Sequence, residues 1–116
     1  MYIGEISKRT GASPKAIRLY ESLGLLVNVK REGSYRTYSE RDIEFVKLIK
    51  EAQTLGVSLA DLKKLVVAEN ELDWLRVMEL LADKQNKVDA QIAFLQAQKK
   101  RITVYQKSIQ DCLDSH

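Results

Sequence analysis

The sequence contains very little cysteine, proline, glycine or histidine, and each shortage excludes a class of protein. Of the 116 residues, one is cysteine, one is proline, one is histidine and five are glycine. The single thiol, Cys112, forms no intramolecular disulfide and is too little for a zinc site built from several thiolates. We therefore expect a protein of the reducing cytoplasm that binds no metal and needs no cofactor.

Long hydrophobic runs and catalytic motifs are also missing. No apolar stretch reaches the roughly 18 to 20 residues of a membrane span, and the first residues lack the basic and apolar regions of a signal peptide. With one histidine, one cysteine and no Gly-rich phosphate loop, the chain offers no catalytic constellation. We predict a protein that is not exported, does not associate with membranes and is not an enzyme.

Glycine and proline are confined to the first half of the chain, which they divide into short elements. We predict a helix over residues 3–10 that ends at Gly11. A second helix is predicted to begin at Pro14, with Ser13 as its N-cap, and to end before Gly24. Two short helices joined by so tight a turn are typical of a helix-turn-helix motif.

Two serines predict the starts of two further helices, and a hairpin is predicted before them. Ser39 and Ser58 each precede an apolar periodic stretch and are followed three residues later by aspartate, a weaker relative of the capping box. The apolar face of the helix after Ser58 includes Val66.

Residues 27–30 and 35–38 alternate β-forming side chains around a turn that contains Gly33, which predicts two short strands.

The last part of the sequence, residues 57–116, has neither glycine nor proline and carries an apolar heptad repeat. It predicts a helix from residue 74 to residue 113, about 60 Å long at 1.5 Å per residue. The head is too small to cover such an apolar stripe, and the segment contains no glycine or proline at which the helix could kink. A coiled-coil dimer is therefore favoured over a kinked, folded-back helix. The predicted dimerisation residues are Trp74, Leu81, Val88, Ile92, Leu95, Ile102 and Ile109.

These elements define the predicted fold class and domain organisation. The fold is mainly α: a winged helix-turn-helix head with a small β-hairpin as its wing, followed by a long C-terminal coiled-coil helix. We place the head in residues 1–70 and the dimerisation helix, with a short tail, in residues 71–116.

Basic residues are concentrated in the predicted head. The chain carries a net charge of +3, but between Lys8 and Tyr38 seven basic residues stand against two acidic ones, whereas residues 69–116 sum to −1. Lys15 and Arg18 fall three apart on the polar face of the second helix, where they suit contacts with guanine edges. The alternative is that both are ordinary solvated charges, with Arg18 paired to Glu21.

The predicted hairpin favours DNA contacts by Lys15 and Arg18 over solvated charges. It interleaves cations with tyrosine hydroxyls, and both groups suit contacts with sugar and phosphate. One of its two tyrosines is expected to pack in the core against Phe45 instead. The candidate residues of the hairpin are Lys30, Arg31, Tyr35, Arg36 and Tyr38.

Seven short segments, taken in their order along the chain, resemble the sequence pattern of one known protein family. They are residues 3–7 (IGEIS), 10–13 (TGAS), 16–21 (AIRLYE), 24–26 (GLL), 35–38 (YRTY), 42–43 (DI) and 55–59 (LGVSL). Over residues 2–68 the sequence resembles the DNA-binding half of MerR-type transcriptional regulators, and the long helix extends the likeness to about residue 112. The resemblance is to a short form that lacks a C-terminal effector domain.

The resemblance implies a homodimer, joined by an antiparallel coiled coil, that binds a palindromic promoter operator in double-stranded DNA. It implies activation by distortion of the promoter, in response to an effector, so that RNA polymerase engages both promoter elements. By position, Lys15, Arg18 and Tyr20 match the family's recognition helix, and Tyr35, Arg36 and Tyr38 match its wing. Lys63 and Lys64 are candidates for a second wing.

The sequence departs from the metal-sensing members of the family at its far end. Cys112 has no second cysteine, and His116 is a poor partner at a frayed terminus, so we expect no metal site. An effector or thiol site, if one exists, is expected near Tyr105, Ile109 and Cys112. The alternatives are a constitutive repressor or an architectural DNA-binding protein without an effector, and a coiled-coil adaptor that leaves the basic head unexplained.

Overall fold

The computed structural model describes residues 1–27 and 29–115. The predicted fold class is confirmed in its helical content, its small hairpin and its long C-terminal helix. The elements are α1 (Ile3–Thr10), α2 (Pro14–Ser22), β1 (Lys30–Glu32), β2 (Tyr35–Thr37), α3 (Glu40–Thr54), α4 (Leu59–Leu65), β3 (Val66–Ala68), β4 (Glu71–Leu72) and α5 (Trp74–Asp114).

The turn between α1 and α2 has the chemistry that the sequence predicts. Gly11 closes α1 in the left-handed region, at φ 76°, and a Cβ at this position would lie 2.9 Å from the Lys50 Nζ. That ammonium group donates to the Thr10 carbonyl at 3.3 Å and so caps the end of α1. Ser13 accepts a hydrogen bond from the Ala16 N–H at 3.0 Å and begins α2. Gly11 and Ser13 therefore set the two ends from within the turn, and Lys50 adds a contact from a part of the chain 40 residues away.

The predicted capping box at the start of α3 is present. The Ser39 Oγ accepts from the Asp42 N–H at 3.2 Å, and the Asp42 Oδ2 accepts from the Ser39 N–H at 2.9 Å. Ser58 caps α4 in the same way by accepting from the Asp61 N–H. The carboxylate of Asp42 is 6% exposed, so this cap is part of the interior of the head.

The first hairpin is shorter than predicted. β1 begins at Lys30 and pairs antiparallel with β2, with Lys30 opposite Thr37 and Arg31 opposite Arg36. Pairing does not continue to Tyr38, which would face residue 29, because the Tyr38 N–H and carbonyl bond to Met1 instead. Residues 27 and 29 therefore lie outside the strand, and Asn28 lies outside the described residues.

A second hairpin follows α4, and the sequence did not predict it. Val66, which was predicted to extend the fourth helix, instead pairs with Leu72 across β3 and β4. The turn places Asn70 at φ 53°, a left-handed conformation that asparagine tolerates better than most residues. The Asn70 Nδ2 donates to the Asp42 Oδ1 at 3.1 Å, which ties the turn to the start of α3.

The chain divides into two compact units, Met1–Val77 and Met78–His116. The predicted domain boundary between residues 70 and 71 lies in the turn of the second hairpin. In the first unit α1 packs against α2 and α3, and α3 packs against α4. Its fully buried side chains are Ile6, Ile17, Leu25, Leu26, Ile43, Val46 and Ile49.

The second unit consists of the helical residues of α5 from Met78 onward. None of the α5 residues is buried within the chain. The predicted heptad column is half-exposed or more along most of its length, from 50% at Val88 to 59% at Leu95 and Ile109. Five of the six residues of the column are therefore half-exposed or more within their own chain.

Candidate nucleic-acid interface

The outward face of α2 presents two exposed cations. Lys15 and Arg18 are both exposed, and neither forms an ion pair or a side-chain hydrogen bond with residues 1–27 or 29–115. They border an open groove of about 530 Å³ that also includes Ser13, Ala16, Leu19 and Ser22. The alternative pairing of Arg18 with Glu21 is absent among these residues, because Glu21 binds a different arginine.

That arginine belongs to the wing. The Arg36 Nε donates to the Glu21 Oε1 at 3.0 Å and lies 2.9 Å from Oε2, and the hydrogen bond raises the pKa of Arg36. The two side chains are 36% and 24% exposed. This ion pair joins β2 to the last turn of α2, so it orients the wing relative to the helix. Arg36 thus has a structural partner that the sequence analysis did not assign to it.

Tyr20 belongs to the core rather than to the exposed surface, which corrects its predicted DNA contact. Its ring is 4% exposed, its hydroxyl donates to the Gln53 Oε1 at 3.3 Å, and burial raises its pKa. Leu19, its neighbour in the same apolar run, is 45% exposed. A nine-residue helix turns only one side inward, and Ile17 together with Tyr20 occupies that side.

Tyr38 is likewise a core residue, and its predicted DNA contact is also corrected. It is 4% exposed, and burial, followed by the nearby Glu21 carboxylate, raises the pKa of its hydroxyl. Within the described residues this buried hydroxyl has no hydrogen-bond partner. Of the two wing tyrosines, Tyr38 therefore takes the core position, while Tyr35 is 67% exposed.

The N-terminus lies beside the wing, an arrangement for which the sequence offered no signal. The Tyr38 N–H donates to the Met1 carbonyl at 2.7 Å, and the Met1 amino group donates to the Tyr38 carbonyl at 2.9 Å. The Tyr2 ring centroid is 5.7 Å from that of Tyr35, and the Tyr2 hydroxyl donates to the Glu32 Oε2 at 3.3 Å. The carboxylate of Glu32 raises the pKa of Tyr2.

The four other cations that were predicted to contact DNA are exposed. Lys30 and Arg31 lie on β1, next to the paired strand that carries Arg36. Lys63 and Lys64 lie in the last turn of α4. All four are available to a polyanion, and their roles stay predictions.

The predicted effector or thiol site lies on α5. Tyr105 and Ile109 are 62% and 59% exposed, and Cys112 is an exposed free thiol. Tyr105 also borders an open groove of about 490 Å³ with Ala97 and Val104. In residues 1–27 and 29–115 no group of three or more His, Cys, Asp or Glu side chains is arranged to hold a metal ion.

Two short helices with a tight turn, a basic hairpin tied to the second helix, and a following long helix define a winged helix-turn-helix protein. The first 69 residues match the family model described as MerR HTH family regulatory protein. Residues 43–105 match the model described as MerR, DNA binding. The chain belongs to the MerR family of helix-turn-helix transcriptional regulators, as its sequence motifs indicated.

Relatives in this family include regulators named for metals. The chain is 43% identical over 67 residues to heavy metal-dependent transcription regulator 2 of Rhizobium meliloti, a match that covers 57% of this chain and 46% of the relative. It is 30% identical over 104 residues to the regulator ZntR of Escherichia coli K12, covering 86% of this chain and 74% of ZntR. In the first three curated relatives the match spans about half of their length.

A solved structure has the same fold. It is the crystal structure of HiNmlR, a MerR family regulator lacking the sensor domain, bound to promoter DNA. The TM-score is 0.62 and the sequence identity 21%, over 91% of this chain and 90% of that one. Among the described residues, none of the helices combines the length and apolar character that crossing a bilayer requires.

Proposed function

We propose that this chain is a homodimeric regulator that binds a palindromic operator in double-stranded promoter DNA. The observation that carries the proposal is the outward face of α2, where Lys15 and Arg18 are exposed beside an open groove and form no ion pair with any described residue. In a helix-turn-helix protein this face enters the major groove, where arginine and lysine donate to guanine O6 and N7.

The wing supplies contacts of a second kind. Lys30, Arg31 and Tyr35 are exposed on the hairpin, and their charges and hydroxyl suit phosphate and sugar. The ion pair between Arg36 and Glu21 fixes the hairpin to α2 at 3.0 Å, so the wing and the recognition helix approach the duplex as one surface. Lys63 and Lys64 extend the proposed phosphate contacts to α4.

Dimerisation through α5 completes the proposal. The heptad column of Trp74, Leu81, Val88, Leu95, Ile102 and Ile109, with Ile92 beside it, has no buried member within the chain and suits an antiparallel coiled coil with a second copy. Two heads then read the two halves of a palindrome. As in the family, distortion of the promoter DNA would let RNA polymerase engage it. The protein then acts in the cytoplasm and catalyses no reaction.

Binding to selected and random duplexes tests the proposal. We expect the full chain to enrich a palindromic sequence from a random duplex library. Arg18→Ala should bring its affinity for the selected duplex close to that for random duplex, since base discrimination is worth about 1–3 kcal/mol per good contact. Arg31→Ala, a matched removal of one exposed arginine, should weaken both duplexes by similar factors. Absence of any enriched sequence would refute the proposal.

A further inference from the structure

Leu19 is a large apolar side chain on the outward face of α2, beside Lys15 and Arg18. It is 45% exposed and lies on α2 one turn after Lys15 and next to Arg18. All three residues border the groove of about 530 Å³, and the surface of that groove is mainly apolar. Leu19 is not one of the buried residues of α2, which are Ile17 and Tyr20, so much of its side chain is open to a partner.

An apolar group beside two cations can find one matching chemical group in the major groove of DNA. Donors and acceptors line most of the edges of the bases, and the C5 methyl group of thymine is the apolar feature that distinguishes one base from the others. Lys15 and Arg18 hold the outward face of α2 against the polyanion, and Leu19 then meets the floor of the groove. Its exposed carbons suit a van der Waals contact with that methyl group.

We propose that Leu19 determines specificity for thymine in each half of the operator. This inference rests on the proposed function, because it assigns a base contact to the same helix. It differs in kind from the contacts of the two cations, which favour guanine through hydrogen bonds. Leu19 disfavours cytosine and uracil at its position, because neither carries a methyl group there.

Deoxyuridine substitution tests the contact, because it removes the methyl group and leaves base pairing unchanged. The probe is the duplex that the full chain enriches from a random library, with each thymine replaced in turn by deoxyuridine. We expect one thymine in each half-site at which the wild type loses about fourfold in affinity. That factor corresponds to about 0.8 kcal/mol for one buried methyl-sized group.

Leu19→Ala should bind the unmodified duplex more weakly and be indifferent to deoxyuridine at that position. Alanine is the best helix former and the side chain is exposed, so α2 keeps its fold. Leu55→Ala is the matched control: Leu55 is 56% exposed at the end of α3, away from the groove, and this variant should keep the sensitivity of the wild type.

The outcomes separate this inference from the proposed function. If the wild type binds its selected duplex but is insensitive to deoxyuridine at every thymine, the inference is overturned while the proposed function stands. Equal sensitivity of Leu19→Ala and the wild type overturns it as well. If no duplex is enriched at all, both proposals fail together.

Discussion

Asp42 joins the start of α3 to the turn of the second hairpin. Replacing it with alanine should therefore lower the free energy of unfolding by more than the loss of an ordinary helix cap does. One carboxylate oxygen accepts from the Ser39 N–H at 2.9 Å, and the other accepts from the Asn70 Nδ2 at 3.1 Å. The side chain is 6% exposed, so water does not replace it fully in the variant. Asp42→Ala therefore removes the acceptor of two partly buried donors at once.

The expected loss follows from those two bonds. Removing a capping side chain costs about 0.5–2 kcal/mol, and leaving a buried donor unpaired costs about 1–3 kcal/mol. The Asn70 Oδ1 is itself buried without a partner in the described structure, so the turn has no second contact for this amide. We expect the free energy of unfolding to fall by about 2–4 kcal/mol.

Urea unfolding, followed by circular dichroism at one fixed protein concentration, measures this loss. In the background of Asn70→Gly, which keeps the left-handed turn, Asp42→Ala should cost only about 1 kcal/mol, the value of the cap alone. Ser58→Ala, which removes the exposed cap of α4, is the control at about 1 kcal/mol. An Asp42→Ala loss below about 1 kcal/mol, or one that is equal in both backgrounds, would refute the reasoning.

Three further predictions concern the core, an ion pair and the dimer. Tyr38→Phe removes a buried, unpartnered hydroxyl, so the melting temperature should not fall and DNA affinity should be unchanged; a marked loss of either contradicts the core assignment. Arg9 donates to Glu40 at 2.8 Å and lowers the pKa of that carboxyl below 4.5, so this stabilisation is present above that pH and is lost as the pH falls through the lowered pKa. Glu40→Gln should melt below the wild type at about pH 7, and the difference should shrink as the pH falls through the lowered pKa; a constant difference would contradict the pairing. Leu95→Asp should give monomers in sedimentation experiments, whereas Phe94→Asp, outside the heptad column, should leave a dimer.

The elements with local causes were predictable from the sequence. Ser13, Ser39 and Ser58 begin helices because their hydroxyls accept from N–H groups three residues later in the chain. Gly11 ends α1 because it adopts a positive φ without strain. Such contacts lie within a few residues, so the sequence pattern contains all that they need.

The second hairpin depends on contacts that are distant in sequence. Val66 continues the apolar face of α4 in the sequence, and a helical periodicity has no sign of the turn that follows. The hydrogen bond from Asn70 to Asp42 spans 28 residues. Only the assembled head brings this turn to the start of α3, which is why the sequence pattern did not indicate it.

The candidate interface was predictable in its cations and less so in its tyrosines. Lys15 and Arg18 stand out because they lie opposite Ile17 on a short helix. Leu19 and Tyr20 are neighbours in an apolar run, and a pattern of apolar residues does not tell which one points inward. The spacing of four from Lys15 to Leu19 was the available signal for an outward position.

The salt dependence of DNA affinity tests the central claim most directly. We expect log affinity for the selected duplex to fall steeply and linearly with log salt, because bound phosphates release counterions. The double variant Lys30→Ala/Arg31→Ala should flatten the slope by about 2 per protomer, whereas Lys100→Ala/Lys107→Ala, the same charge removed from α5, should leave it unchanged. Binding that is absent or insensitive to salt, or equal slopes for the two variants, would contradict the account.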